Sequence, residues 1–320
     1  MRTRLLLATG LAALASTALT ACTAGAPTDG LDGALASVPA TEENLAMIAW
    51  TDVSAVSELG GYDTVPHPFN TAGMLGYGAF ASVREVLDPA LLPATGSDDA
   101  AALWTGRPPH VAFRFDGVDA GAVEEFFAEA DGERSDRAEG TLLVRRGDGE
   151  TNLEDELVPP PVINQMNTVW FGEGTFIGSS QQAMVVDLAE GTGESAAESE
   201  VYAGVIDCVG DVVAAELHTG EAAAPATSLA VGFGGTAEEA VATLCLRAGD
   251  PAAVAESVRE QLASGTDPRS MQTWQEILGD GEVEESGDWV QVRFTDPPAP
   301  DTIHRVLHAR GIPALMGEAG

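Results

Sequence analysis

The sequence predicts an α+β fold of two similar units, each with an antiparallel or mixed sheet and helices packed on one face. Three observations support this. A strand pattern followed by a capped helix occurs twice, each occurrence is followed by a β-hairpin and a further helix, and corresponding parts lie roughly 125 residues apart. Because solenoid repeats are far shorter, this period indicates a duplicated domain and not an array.

The first unit begins with a strand over Ala46–Trp50, and the alternation in Val111–Phe115 predicts another. Asp119 is placed to cap a helix, which Gly132 ends. The apolar residues on one face of that helix are Val123, Phe126, Phe127 and Ala130. A hairpin and a second helix follow: strands Val169–Phe171 and Thr175–Ile177 around the turn Gly172–Gly174, then the helix Gln181–Leu188.

The second unit repeats this order. Strands are predicted over Val212–Leu217 and Val241–Leu246, and Asp250-Pro251 opens a helix that stops before Gly265. The apolar residues on one face of this helix are Val254, Val258 and Leu262. A hairpin and a final helix complete the unit: strands Glu282–Glu284 and Trp289–Phe294 around the turn Ser286-Gly287, then the helix Asp301–His308.

The N-terminus carries an export signal. Arg2 and Arg4 precede a modest apolar segment, Leu5–Leu19, that is too short for a durable transmembrane helix. The segment ends in Leu19-Thr20-Ala21-Cys22, which resembles the lipobox of bacterial lipoproteins. The resemblance implies that the Cys22 thiol receives a diacylglycerol and that cleavage leaves Cys22 as the new N-terminus. An ordinary cleaved secretory signal is the alternative.

These features divide the chain into four predicted parts. Residues 1–21 form the lipoprotein signal peptide and residues 22–40, rich in Ala, Gly, Pro and Thr, a lipidated flexible tether. Residues 41–195 form the first α+β unit and residues 196–320 the second. The expected location is the extracytoplasmic face of the cell membrane, with the membrane itself as a partner through the anchor on Cys22.

The cysteines fit this scheme. Lipidation of Cys22 would leave Cys208 and Cys245 as a pair, in a compartment that permits disulfides. We therefore predict a Cys208–Cys245 disulfide. Two separate buried thiols remain the alternative, because both cysteines stand among apolar residues.

The mature chain is strongly acidic. All 50 Asp and Glu residues follow Cys22 and 13 of the 15 arginines remain, so the net charge becomes 13 − 50 = −37, with no lysine anywhere. This charge argues against a nucleic-acid partner, since binding requires basic contacts to phosphates. Codon bias of a GC-rich genome and adaptation to high salt are both consistent with the composition.

The absence of lysine excludes P-loop, SxxK acyl-enzyme and Schiff-base chemistry. Two local motifs have a functional and a structural interpretation. Gly76–Ala81 imitates a dinucleotide fingerprint but also fits a small-residue packing segment. Leu91–Gly96 contains LPATG, which resembles a sortase motif. Because more than two hundred residues follow it, we expect an ordinary Pro-Gly turn there.

Three further groups of residues have features of ligand sites. His304 and His308 are four apart on the last helix and could chelate a divalent metal, but no third ligand is identifiable, so no metal or other cofactor is assigned. The acidic segment Gly147–Asn167 resembles a calcium loop only loosely, because Leu153 stands where glycine is needed, and a solvated loop is favoured. His67 stands between two prolines, in a segment that either lines a groove or forms a rigid surface loop.

The expected function is that of a non-enzymatic binding or envelope-accessory lipoprotein with an unknown protein or small-molecule ligand. One alternative is a solute-binding receptor of a transporter, which requires two lobes of mainly parallel strands. The other is a surface hydrolase, which requires a His or carboxylate pair that converges in a pocket. His67, His110 or His218 beside a Ser or Asp in one cleft would favour it.

Overall fold

The computed structural model describes residues 30–62, 67–295, 297, 299 and 301–318. The signal peptide and Cys22 lie outside these residues. Within them, twelve strands form one continuous sheet in which every pairing is antiparallel. None of the described helices has the length and apolar character needed to cross a bilayer. The fold is therefore α+β with an antiparallel sheet.

The strands are β1 (Met47–Asp52), β2 (Ala101–Arg107), β3 (His110–Asp116), β4 (Glu133–Arg137), β5 (Gly140–Val144), β6 (Thr168–Gly172), β7 (Thr175–Ser179), β8 (Ala214–Thr219), β9 (Ser228–Gly235), β10 (Ala240–Arg247), β11 (Gly281–Ser286) and β12 (Trp289–Thr295). The α-helices are α1 (Gly30–Ala36), α2 (Glu42–Leu45), α3 (Val53–Glu58), α4 (Ala120–Phe126), α5 (Gln182–Glu190), α6 (Val205–Val209), α7 (Pro251–Ser264), α8 (Trp274–Leu278), α9 (Thr302–His308) and α10 (Ile312–Leu315).

Across the sheet the strands follow the order β11-β12-β10-β9-β8-β1-β2-β3-β7-β6-β5-β4. Strand β1 pairs with β8 near the middle, where the 41–195 and 196–320 segments meet, and we call this pairing the seam. Most predicted elements lie close to the observed ones, but α4 ends at Phe126, whereas the helix was predicted to continue to Gly132. The Asp250 side chain, for example, accepts a hydrogen bond of 3.1 Å from the Ala253 N–H and caps α7 as expected.

Helices cover both faces of the sheet, so the prediction of helices on one face was wrong. Helices α4, α7 and α9 pack against one face, and α1, α5 and α6 against the other. The reason lies in the central strands, where consecutive residues such as Ile48, Ala49 and Trp50 are all buried. A strand that is apolar on both faces must be covered on both.

Part of the predicted tether is folded. Helix α1 lies within residues 22–40 and packs on the sheet through Leu31, Ala34 and Leu35, with Val38 buried just beyond it. Their spacing is that of one helical face, which the small-residue composition of the segment had obscured. Residues 22–29, including Cys22, lie outside the described residues, so for them the tether remains a prediction.

The glycine-rich segment predicted as either a fingerprint or a packing element forms two short 3₁₀ helices within Ala72–Ser82, separated by a kink at Gly78, and it lies against β1 and β2. A Cβ atom on Gly76 would lie 1.9 Å from the Ala102 carbonyl oxygen, and one on Gly78 would lie 2.2 Å from the Trp104 ring. The Thr51 hydroxyl accepts a hydrogen bond of 3.0 Å from the Gly76 N–H. These glycines are required for close approach to the sheet, which is the packing interpretation.

The structure contains both the predicted disulfide and the predicted turn in the LPATG segment. Cys208 and Cys245 form a disulfide between α6 and β10, so the free-thiol alternative does not hold. The LPATG segment forms a turn in which the Ser97 N–H donates to the Ala94 carbonyl at 3.1 Å, with Gly96 in the left-handed region. A glycine at that position fits the predicted Pro-Gly turn.

Candidate functional site

A buried carboxylate near the seam forms the centre of the candidate site. Glu216 lies in β8 with 3% of its surface exposed. Residues two apart on a strand point to the same face, so Glu216 and His218 project together, while Ala215 and Leu217 pack into the opposite core. A charged group at this depth requires polar partners, since an unpaired buried charge is very costly.

Three imidazoles surround the Glu216 carboxylate. The Nε2 atom of His218 lies 2.5 Å from Oε1. The Nε2 atom of His304 lies 2.8 Å from Oε2, and that of His308 lies 3.0 Å from Oε1 and 3.3 Å from Oε2. Three of the chain's five histidines therefore converge on one carboxyl group.

Helix α9 supplies two of these histidines. Its apolar residues Ile303, Val306 and Leu307 are buried and fix the helix over the sheet. Side chains four apart on a helix lie on the same side, so His304 and His308 reach the carboxylate together. The side chain of His304 is 17% exposed and that of His308 is 53% exposed, so the cluster opens to solvent at His308.

Arg107, at the end of β2, fixes the tautomer of His218. One guanidinium nitrogen lies 2.9 Å from His218 Nδ1. Arginine has no acceptor, so Arg107 donates this hydrogen bond and Nδ1 accepts it. The ring proton of neutral His218 consequently stands on Nε2, from which it is donated to Glu216 Oε1.

The electrostatics follow from these contacts. Burial alone would raise the pKa of the Glu216 carboxyl, but hydrogen bonds from the three imidazoles hold its pKa well below the usual value. The hydrogen bond to Glu216 raises the pKa of His308, against the opposing effect of partial burial. The carboxylate is therefore the anionic centre of the cluster.

An apolar cavity of about 320 Å³ lies directly beside the cluster. It exists because Ala49, which pairs with Trp104 on one side and with Glu216 on the other, has a short side chain between two long ones. The apolar lining residues include Met47, Met74, Leu75, Ala79 and Trp104. Glu216, His304 and His308 form its polar wall.

A second, more polar cavity of about 680 Å³ lies on the other side of His308. The two cavities share Met47, Pro108 and His308. Arg107 and His218 line the second cavity together with Ile312 and Pro313 of α10. We call the two cavities together the seam groove.

The other candidate residues lie elsewhere. His110 is exposed at the start of β3, and His67 Nδ1 accepts a hydrogen bond of 3.2 Å from the Phe69 N–H. In the acidic 147–167 segment, the Asp155 carboxylate accepts hydrogen bonds from Arg145 at 2.6 Å and Arg146 at 3.2 Å. Because the Asp155 carboxylate is already paired with two arginines, the structure gives no support to a calcium site in this segment.

Glu216 was missed in the sequence. It stood among 50 acidic residues, and no motif separated it from the rest. One signal was available: the predicted strand Val212–Leu217 is apolar apart from Glu216, and a carboxylate within an apolar strand requires a partner. Its partners include His304 and His308, the pair for which the sequence identified no third metal ligand.

The chemistry open to this cluster is restricted. Within the described residues, the side chains hydrogen-bonded to Glu216 and its histidines are imidazoles and the Arg107 guanidinium, with no hydroxyl or thiol among them. A nucleophilic triad needs such a group in contact with its base. A carboxylate with two imidazole nitrogens is instead a donor set that transition metals bind.

No protein-family model matches the chain, and no curated protein matches it. Two solved structures, crystal forms III and I of TP0453, resemble it with a TM-score of 0.43 and 9% sequence identity. The likeness covers 86% of this chain in both cases, and 97% and 96% of the TP0453 chains. At this TM-score the similarity contributes nothing to the assignment of function.

Proposed function

We propose that this chain is an exported lipoprotein, anchored to the extracytoplasmic face of the cell membrane through Cys22, whose folded body is a non-enzymatic binding protein. The seam groove is its ligand site. The observation that carries this proposal is the convergence of three histidines on buried Glu216 in the wall of an open cavity. Apolar pockets with a few convergent polar groups are characteristic of small-molecule sites.

The two segments 41–195 and 196–320 are, in this proposal, duplicated units. Supporting this is the sheet order, which runs β1-β2-β3-β7-β6 in the first segment, where β5 and β4 extend it, and β8-β9-β10-β12-β11 in the second. In both, the third strand is followed by a helix, α4 or α7, before the next strand. The seam is then the junction between the units, a place where ligand sites commonly occur.

The two alternative functions receive less support. A transporter receptor was expected to have mainly parallel strands, whereas the described sheet is antiparallel throughout. A hydrolase built on a nucleophilic triad needs a hydroxyl or thiol beside its base, and the described contacts of His218 are with Glu216 and Arg107. The groove is therefore assigned to binding, with a ligand that places an apolar group beside Ala49 and a polar group towards Arg107.

Anchoring is tested by a single substitution. The protein expressed from the full-length gene should partition with membranes, and the Cys22→Ser variant should move to the soluble fraction. The physical reason is that two acyl chains provide lasting attachment, at about 0.8 kcal/mol per buried methylene. The measurement is membrane fractionation followed by immunoblotting.

The matched control for anchoring is a Thr95→Ala, Gly96→Ala double variant, which alters the LPATG turn and should stay with the membranes. Loss of attachment in this control would revive the sortase interpretation. Retention of Cys22→Ser in the membrane fraction would remove the lipid anchor from the proposal.

Binding in the groove is tested with the dye 8-anilinonaphthalene-1-sulfonate, which carries an apolar ring system and an anionic group. The Cys22→Ser full chain, free of detergent, should bind one dye saturably. Ala79→Trp should abolish this binding, because Ala79 is half-buried in the cavity wall and the indole would occupy a cavity of only about 320 Å³. Fluorescence titration gives the affinity and the stoichiometry.

The control for the dye experiment is Ser82→Trp, which adds the same side chain at an exposed position outside the cavity lining. It should bind dye like the parent protein. Should Ala79→Trp fail to fold, Thr71→Trp at the half-buried rim of the cavity replaces it. Equal dye binding by the parent and a folded cavity variant would contradict a ligand site in the groove.

A further inference from the structure

We propose that Glu216, His304 and His308 form a binding site for a divalent transition-metal ion, Zn²⁺ in the first instance. Their candidate ligand atoms all lie within 4.8 Å of one another, and the three residues come from two distant parts of the chain, β8 and α9. The inference rests on the proposed binding function, since it names a ligand for the same groove, but a separate probe tests it.

The distances suit a metal site. With metal–ligand bonds near 2.0–2.1 Å, the ligand atoms of a tetrahedral zinc site lie roughly 3.3 Å apart. Glu216 Oε2 lies 2.8 Å from His304 Nε2 and 3.3 Å from His308 Nε2. Both distances are within about half an ångström of the tetrahedral separation, and the ligand atoms of His304 and His308 lie within 4.8 Å of each other.

The surrounding contacts have the form of a supporting shell. His218 donates from Nε2 to Glu216 Oε1 at 2.5 Å, which orients the carboxylate and leaves Oε2 towards His304. Arg107 in turn holds His218 in the donating tautomer at 2.9 Å. Ligating carboxylates in metal sites are commonly held in this way by a second hydrogen bond. His218 is thus a positioning residue and not a ligand.

The donor set also selects the class of ion. Two imidazole nitrogens and one carboxylate oxygen favour Zn²⁺ and its transition-metal neighbours, whereas Ca²⁺ and Mg²⁺ prefer oxygen ligands throughout. Three protein ligands leave a fourth position, and all three residues line the apolar cavity. That position therefore faces the groove. A metal ion binds an Nε2 atom that carries no proton, so a neutral imidazole would bind as its Nδ1–H tautomer and an imidazolium would first release its Nε2 proton.

The experiment is a titration of the mature lipidated protein, stripped with chelator and held in detergent micelles, with Co²⁺ as a spectroscopic probe and Zn²⁺ as competitor. One equivalent of Co²⁺ should give the visible absorption of a four- or five-coordinate site, and Zn²⁺ should displace it. His304→Ala and His308→Ala should each weaken Zn²⁺ binding by about 100-fold or more, and His218→Ala by about 10- to 100-fold.

His110→Ala is the matched control, because His110 is exposed on β3 and outside the cluster. It should change the affinity by less than about twofold. His308→Ala is the deciding variant, since the half-exposed side chain can be removed without unfolding the core. Absence of a one-equivalent Co²⁺ spectrum, or equal affinities of folded His308→Ala and wild type, would overturn the site.

The two proposals fail separately. Ala79→Trp should lose the dye and keep one equivalent of Zn²⁺, since Ala79 lines the cavity without being a ligand. His304→Ala should lose Zn²⁺ and keep the dye. Loss of both ligands in both variants, with the fold intact, would mean that the dye binds through the metal, which contradicts the independent apolar site.

Discussion

Removing the disulfide is expected to lower the free energy of unfolding by about 4 kcal/mol. Cys208 and Cys245 are 37 residues apart in sequence, and closing a loop of that length restricts the unfolded chain by about that amount in the chain-entropy model. The bond joins α6, a helix of five residues, to β10 in the sheet of the second segment. A helix this short is unstable without tertiary contacts, so we expect α6 to loosen as well.

The measurement is urea unfolding of a Cys208→Ala, Cys245→Ala double variant beside wild type. Wild type in reductant supplies the control, because it loses the covalent bond and keeps both sulfur atoms. Reductant should lower the stability of wild type and leave the double variant unchanged. If the free energies of unfolding of the double variant and of oxidised wild type agree within about 1 kcal/mol, the disulfide does not stabilise the fold in this way.

Much of the secondary structure could be predicted because its signals are local. The alternation in β3 and the Asp250 cap of α7 each depend on a few adjacent residues, and the observed bounds differ from the predicted ones by at most one residue. Strands β2, β4, β5 and β9 were missed. Of these, β2 and β9 are buried on both faces and contain small residues, so neither shows the polar–apolar alternation that identifies a half-exposed strand.

Only half of the candidate site could be predicted, because the site depends on contacts between residues that are far apart in the sequence and not on local signals. The spacing of His304 and His308 identified one side of the cluster. Their partner Glu216 precedes His304 by 88 residues, and nothing local indicates that α9 returns over β8. The neighbouring cavity is equally non-local, since it arises from the register that sets Ala49 between Trp104 and Glu216.

Replacing the central carboxylate should destabilise the metal-free protein by about 3 to 5 kcal/mol. Glu216→Gln keeps the shape of the side chain but presents an amide N–H₂ to imidazoles that donate hydrogen bonds. Removing one partner from a buried, hydrogen-bonded charge cluster typically costs this much, because the remaining groups stay buried without compensation. Urea unfolding in the presence of chelator gives the value directly.

Glu284→Gln is the matched control, an identical change at an exposed position on β11, and it should alter stability by less than about 0.5 kcal/mol. A double-mutant cycle then tests whether the cluster acts as a unit. His308→Ala should lower the free energy of unfolding by less in the Glu216→Gln background than in wild type, because the carboxylate that His308 contacts is already absent. Additive effects of the two substitutions, or a Glu216→Gln protein as stable as wild type, would show that the imidazoles do not depend on the carboxylate.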